Sequence, residues 1–343
     1  MAELSVALFG AGRIGNVHAA NIVAHPDTRL RYVVDPVDSA AEALVSRTGA
    51  ERVDEVTALD DPGVAAIVIC SDTSTHAGLI ESGIGAGKAV FCEKPIDLDI
   101  KRVRSVLDAI DGSELPLFVG FNRRFDPAVA EVRRRAGTGE LGDIELVTVV
   151  SKDPDGGLPI EYLKVSGGMF RDMTIHDFDM ARHLLGEEPT TVSATAATLV
   201  SQDIADIGDI DTASISMQTA SGKIAVITNS RRCSAGYDQR VEVHGSTGTA
   251  RTDNVPKSMF SIETSGGTER DNPKFFFTDR YAESYALEWG RFVDVLRNGT
   301  PPDPTGIDGY RALLLAEAAY LSLEERRTVT VTETENRVLG AGS

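Results

Sequence analysis

The sequence predicts an α/β chain of two domains, and three observations carry that prediction. Short aliphatic runs alternate with helical stretches from residue 4 to 120. Gly10, Gly12 and Gly15 close the first of those runs in G-x-G-x-x-G spacing. After about residue 123 the pattern turns to alternation in twos, broken by the turn signals "SGK" and "GSTG". The expected division is a dinucleotide-type domain over 1–123 and an α+β domain over 124–335, with a late helix packing back on the first.

In chain order, "LSVALFG", "LRYVVD", "AAIVIC", "AVFCEKP" and "PLFVGF" read as strands, with helical stretches at 14–24, 38–48, 75–86 and 98–110. Continuous apolar strands alternating with helices predict a parallel sheet covered on both faces. Further on, "IELVTVVSKD", "TTVSATAATLV", "TASISMQTASGKIAVITNSRR" and "QRVEVHGSTGTARTDN" predict an antiparallel sheet, with one helix inserted between its first two strands. Helical pattern returns at about 280–297 and 307–325.

Composition excludes several classes. A chain of 343 residues, 42% hydrophobic and 25% charged, can bury two cores. Its formal charge of −18 disfavours nucleic acid, and the basic run Arg133–Arg135 reads as a solvated helix end. No apolar run reaches membrane-spanning length, and "MAELSVALFG" enters a strand with no basic leader. Cytoplasmic residence is the expectation. Cys70, Cys92 and Cys233 show no CxxC spacing and read as thiols rather than a disulfide framework or zinc ribbon.

The glycine triplet lies between a strand and a helix. Its first member permits a tight turn, the second lets a pyrophosphate approach the backbone, and the third lets helix and strand pack closely. Phosphate charge would meet the unpaired amides of the helix N-terminus. Asp35 ends the second strand, twenty residues beyond Gly15. A carboxylate there accepts from both ribose hydroxyls of NAD and repels the extra phosphate of NADP. Lys94 emerges at the carboxyl edge of the sheet, where open α/β sheets bind ligands, and Pro95 restricts its backbone.

Residues 167–184, "GGMFRDMTIHDFDMARHL", place Asp172, His176, Asp179 and His183 on one face of a single expected helix, hemmed in by apolar residues. His176 and His183 are two turns apart, about 10 Å, too far to share one metal ion. No metal is expected. Asp179 and His183 read as a buried salt-bridge row. Asp172 and His176, one turn apart after "SGG", read as a proton-transfer pair, since a carboxylate orients imidazole and stabilises its charged form.

Taken together, "GAGRIG", "EKPIDLD", "GFNRRFDP", "GGMFRDMTIHDFDMARHLLGEEP", "ESYALEW" and "DGYRALLLAEAAYLS" resemble the inositol dehydrogenase branch of the glucose–fructose oxidoreductase-like (Gfo/Idh/MocA) family over nearly the whole chain. That resemblance implies a Rossmann domain joined to an α+β domain with a large, open-faced, mainly antiparallel sheet, through which such enzymes assemble; a homotetramer is expected. It implies Lys94, Asp172 and His176 as the catalytic set. Gly10, Gly12, Arg13, Ile14, Gly15, Asp35, Ser71, Thr73, His76, Glu93 and Lys94 would bind the cofactor, with His76 equally a helix-start residue. Arg123, Asp153 and Tyr237 would join the catalytic three at the substrate, with Arg124 a geometric equal of Arg123. Asn122 and Ser151 stand where some inositol dehydrogenases carry a methionine and a histidine, which bears on the stereoisomer.

The expected activity is oxidation of myo-inositol to 2-keto-myo-inositol (scyllo-inosose) with NAD. The alternatives are another inositol isomer, scyllo or D-chiro, or a pyranose as substrate. From a different class, the alternative is a non-catalytic NAD-binding regulator.

Overall fold

The structure is a computed structural model that describes residues 3–154 and 158–340. The first elements are β1 (Leu4–Phe9), α1 (Arg13–Ala24), β2 (Thr28–Val34), α2 (Asp38–Thr48), β3 (Glu51–Arg52), α3 (Glu55–Asp60) and β4 (Val64–Ile69). Then come α4 (Thr73–Gly85), β5 (Ala89–Glu93), α5 (Ile100–Ala109), β6 (Leu117–Gly120), α6 (Pro127–Gly137) and β7 (Ile144–Lys152). Helices α7 (Ile160–Leu163), α8 (Met169–Asp172) and α9 (Ile175–Leu185) precede β8 (Pro189–Ala197), α10 (Gln202–Asp206), β9 (Thr212–Thr219) and β10 (Ile224–Ser230). The chain continues through β11 (Asp238–Gly245), β12 (Gly248–Arg251), β13 (Ser261–Thr264), β14 (Gly267–Arg270) and α11 (Phe277–Arg280). It ends with α12 (Ala282–Asn298), α13 (Gly306–Glu325), β15 (Val329–Thr330) and α14 (Val331–Leu339).

Two compact units result, residues 1–125 with 283–313, and residues 126–282 with 314–343. In the first, six parallel strands run in the order β3-β2-β1-β4-β5-β6, reversing between β1 and β4. That order places a ligand crevice at the carboxyl ends of β1 and β4. Val6, Leu8, Val68, Phe91 and Phe118 build its core, and α12 joins them through Trp289, Phe292 and Val293. The Trp289 indole N–H donates to the Thr28 hydroxyl at 3.2 Å, and Phe292 packs edge-on against Phe91 at 5.6 Å. Residues 283–313 therefore complete the first core. The sequence reading passed over β3 and α3: the strand has two exposed residues, and the helix is a six-residue turn capped by Asp54.

The second unit carries a seven-stranded sheet in the order β12-β11-β7-β10-β9-β8-β15. The expected antiparallel pairing holds except at one place: β10 runs parallel to β7. The reason is topological. The crossover through α9 returns β8 in the direction of β7, and two antiparallel steps keep β10 in that direction. Helix α9 packs on β7 and β10, so the alternation buries Val147, Val149, Ile215, Ala225 and Ile227 on one face. Thr148, Val150, Val226 and Thr228 take the other, less buried face.

Gly15 shows how tightly the first turn closes. A Cβ there would stand 2.0 Å from the Gly10 carbonyl oxygen, whereas one on Gly12 would meet nothing within 4 Å. Gly15→Ala should therefore lower stability by about 1–3 kcal/mol, as overpacking does. Gly12→Ala should cost far less, and the two melting temperatures measured side by side check the contrast.

Candidate active site

In the first unit, the strand–turn–helix is built for an anion. Gly10 has φ +100°, and a Cβ on it would strike the Cys70–Ser71 backbone at 2.5 Å. Helix α1 starts at Arg13 and Ile14 with no side-chain cap and no acidic residue in its first turn. Its first amides, with the open space over Gly12, leave room for a phosphate. Asp35 is drawn onto this turn: Oδ2 accepts from the Ala11 N–H at 2.6 Å, and Oδ1 from the Val37 N–H at 2.7 Å. It is half-buried at the end of β2, as a ribose-reading carboxylate requires. The residues present fit a dinucleotide.

Ser71 and Thr73 line the next strand end. The Ser71 hydroxyl shares a hydrogen bond with Thr75 at 2.6 Å, and Thr73 opens α4 behind the capping Asp72. His76 lies in the first turn of α4 with its side chain buried. Nδ1 lies 2.8 Å from the Pro95 carbonyl oxygen and Nε2 lies 3.1 Å from that of Ser71. It ties the loop after β4 to the loop that carries Lys94. Burial holds this imidazole below the ordinary histidine value, although both carbonyls pull the other way. Glu93 is likewise turned inward, its Oε1 lying 2.6 Å from His18 Nε2. Lys94 follows β5, half-buried, joined to Pro95 by a cis peptide.

Arg124 and Arg123 no longer stand as equals. Arg124 is bound by Asp303 at 2.6 Å and by Asp308 at 2.9 Å, a structural role within the first unit. Arg123 remains the candidate for the substrate. Asn122 is buried beside it.

In the second unit, the single helix expected over 167–184 is two helices. Asp172 closes α8, and His176 lies in the first turn of α9, half-buried. Between them the Thr174 N–H reaches back five residues to the Met169 carbonyl at 3.0 Å, a π-type turn. The cause lies on β10. Thr174 donates to Asn229 Oδ1 at 2.8 Å, and the Asn229 amide donates to the buried Asp177 at 2.7 Å, pinning both sides of the break. Asp179 is buried and lies 3.5 Å from Arg182, which Glu188 holds at 2.6 Å. The structural row thus runs through Arg182, a residue passed over in the sequence.

Sequence reasoning also missed Arg231. Because β7 and β10 are parallel, Asp153 and Arg231 leave the sheet at one edge, and the Asp153 N–H donates to the Ser230 carbonyl at 2.9 Å. The buried guanidinium then stands among three carboxylates, at 3.6 Å from Asp153, 3.8 Å from Asp172 and 3.9 Å from Asp209. These distances exceed direct hydrogen bonds and are those of ion pairs. Asp172 Oδ1 accepts from the Tyr162 hydroxyl at 2.8 Å. A cavity of about 550 Å³, lined in part by Asp153, Leu163, Ile204 and Arg231, adjoins the cluster. Tyr237 is buried edge-on to Tyr281 at 6.0 Å, and Ser151 is fully buried, donating to Gln239 at 2.9 Å. Among the described residues, no three His, Cys, Asp or Glu converge to hold a metal ion. Nor is any of their helices long and apolar enough to cross a membrane.

Comparison with known proteins gives matching results for both units. Residues 4–121 match the oxidoreductase family model with an NAD-binding Rossmann fold, and residues 129–251 match the GFO/IDH/MocA C-terminal domain. Inositol 2-dehydrogenase of Rhizobium meliloti is 49% identical over 94% of this chain and 98% of its own. A crystal structure of a myo-inositol dehydrogenase from Corynebacterium glutamicum superposes with a TM-score of 0.91 at 42% identity, covering 96% of this chain and 98% of that one. Scyllo-inositol dehydrogenase from Lactobacillus casei, solved with NAD(H) and scyllo-inositol bound, gives 0.89 at 28% identity, covering 96% and 99%.

The His76 geometry sets a pH dependence. Its imidazole is depressed in the folded chain, so below the ordinary value of about 6.5 the unfolded chain binds a proton that the folded one resists. Stability is therefore lost as pH falls through that value. Between pH 7 and 5 the melting temperature of wild type should drop more steeply than that of His76→Gln, which thermal scans across that range would show.

Proposed function

The chain belongs to the Gfo/Idh/MocA family of oxidoreductases, and from that premise we propose that it is an NAD-dependent inositol 2-dehydrogenase. The substrate is myo-inositol, oxidised at its axial hydroxyl to 2-keto-myo-inositol. The observation that carries this reading is Asp172: held by Tyr162 and flanked by Arg231, it stands one helix break from His176.

A bound NAD supplies the hydride acceptor. The remaining work belongs to the chain's own side chains. His176 takes the hydroxyl proton onto its imidazole, and Asp172 orients that ring and stabilises its charged form. Lys94 donates to the same substrate oxygen and polarises it. Arg123, Asp153 and Tyr237 read the other ring hydroxyls, because an unpaired buried donor costs about 1–3 kcal/mol. Around the cofactor, the α1 amides take the pyrophosphate, Asp35 takes the ribose, and Ser71 and Thr73 border the nicotinamide side.

We also propose that the enzyme works as a homo-oligomer, a tetramer built through the second unit's sheet. Ile224, Val226 and Val150 on its outward face support this, since such a surface favours burial against a second copy. Sedimentation of a monomer at micromolar concentration would refute it.

The catalytic reading is tested by NADH absorbance with NAD or NADP and a panel of inositols and pyranoses. Myo-inositol with NAD should give the highest kcat/KM. Lys94→Ala, Asp172→Asn and His176→Ala should each lower kcat by about a hundredfold or more, the scale of acid–base catalysis. Asp35→Ser should narrow the preference for NAD over NADP. Wild-type turnover by His176→Ala at neutral pH would remove the proposed base, and higher activity on scyllo-inositol or a pyranose would reassign the substrate.

A further inference from the structure

Behind Lys94, the first unit buries two carboxyl groups and an imidazole. His18 on α1 is fully buried, with Nε2 lying 2.6 Å from Glu93 Oε1. Its ring also packs edge-on against Phe91 at 4.9 Å and Tyr285 at 5.7 Å. Tyr285 lies on α12, and one turn further that helix carries Glu288, which has no exposed surface. Neither Glu288 oxygen has a hydrogen-bond partner among the described residues, and neither has His18 Nδ1. The same holds for Ser284 Oγ on α12 and Asn21 Nδ2 on α1, each within about a turn of these side chains. Buried polar atoms seldom stay unpaired, so these orphans call for partners.

The orphans are chemically complementary. With its proton on Nε2, His18 donates to the Glu93 carboxylate, and its Nδ1 becomes an acceptor that lacks a donor. A carboxylic acid at Glu288 is a donor that lacks an acceptor. The charged groups facing Glu288 favour that neutral form. Burial pushes its carboxyl well above the usual range, and Glu93 pushes it further. Burial and the same two carboxyls also raise the Cys70 thiol, which stays neutral.

We propose that Glu288, as a neutral acid, donates through a buried water to His18 Nδ1, and that the Glu288–His18–Glu93 chain positions Lys94. Glu93 is covalently next to Lys94, and its carboxyl rests against Gly120, where a Cβ would come within 3.0 Å of it. Fixing Glu93 fixes the strand end from which Lys94 departs. His18 and Glu288 are positioning residues, remote from the chemistry. The inference rests on the reading of Lys94 as catalytic.

The test combines spectroscopy, stability and kinetics. Infrared difference spectra of wild type against Glu288→Gln should show a protonated carboxylic acid band that the variant lacks. Glu288→Leu should fold with a lower melting temperature than wild type, because it leaves His18 Nδ1 without its donor. Its kcat should also fall about tenfold or more, as displacing a catalytic group does, with the Kd for NAD unchanged. Glu288→Gln, which can donate as the acid does, should retain kcat within about threefold, and His18→Leu should repeat the loss. A missing acid band, a fully active Glu288→Leu, or a Glu288→Gln as impaired as Glu288→Leu would overturn the proposal. Full activity of Lys94→Ala would instead remove the reading of Lys94 and the positioning role with it, while the infrared band would still report the proton on Glu288.

Discussion

When β10 pairs parallel to β7, the carboxyl ends of two neighbouring strands leave the sheet at one edge, and Asp153 and Arg231 come out side by side. The first unit uses the same constraint in five parallel pairings, setting the glycine turn, Asp35, Ser71 and Lys94 at the carboxyl ends of its strands. Parallel strands need crossovers, and a crossover helix returns its own N-terminus to that edge. Helix α1 does so with its unpaired amides, and α9 does so with His176 in its first turn. Both candidate half-sites therefore follow from strand direction, and side-chain chemistry is laid over it.

Burying charge next to these edges imposes a second requirement. Arg124 meets it with Asp303 and Asp308, and Arg280 meets it with Asp126; such pairs hold a place in the fold rather than adding much net stability. Arg231 is different, because its three carboxylates stand back from it at 3.6–3.9 Å. Its charge is shared over three carboxylates rather than closed onto one, and this separates Arg231 from Arg124 and Arg280.

Much of this could be read in the sequence, for physical reasons that also explain what could not. The Gly10–Gly12–Gly15 turn was legible because each glycine answers a local steric demand, and Asp35 because strand length fixes its distance from that turn. Helices α1, α2, α12 and α13 were legible from periodicity. The parallel direction of β10 was not, since alternation in twos is the same in either direction. The break between Asp172 and His176 was also hidden: Thr174 fits a helix, and only its bond to Asn229, fifty-five residues away, reveals the turn. Arg231 read as one of two arginines in "SRRC", with nothing local to show that it is buried. His76 was placed near the right loop, yet its burial depends on Pro95 and Ser71 closing over it.

The charge around Asp172 bears on what kind of molecule belongs there. One guanidinium against three carboxylates leaves two negative charges in excess, within a protein whose net charge is already −18. A phosphorylated sugar or a hydroxy acid would meet repulsion at these carboxylates, which Arg231 only partly offsets. A neutral polyol suits them better, because its hydroxyls can donate to the carboxylates and accept from Arg231. The arrangement of carboxylates that suits a polyol would repel itself if left alone, and the arginine among them keeps it from coming apart.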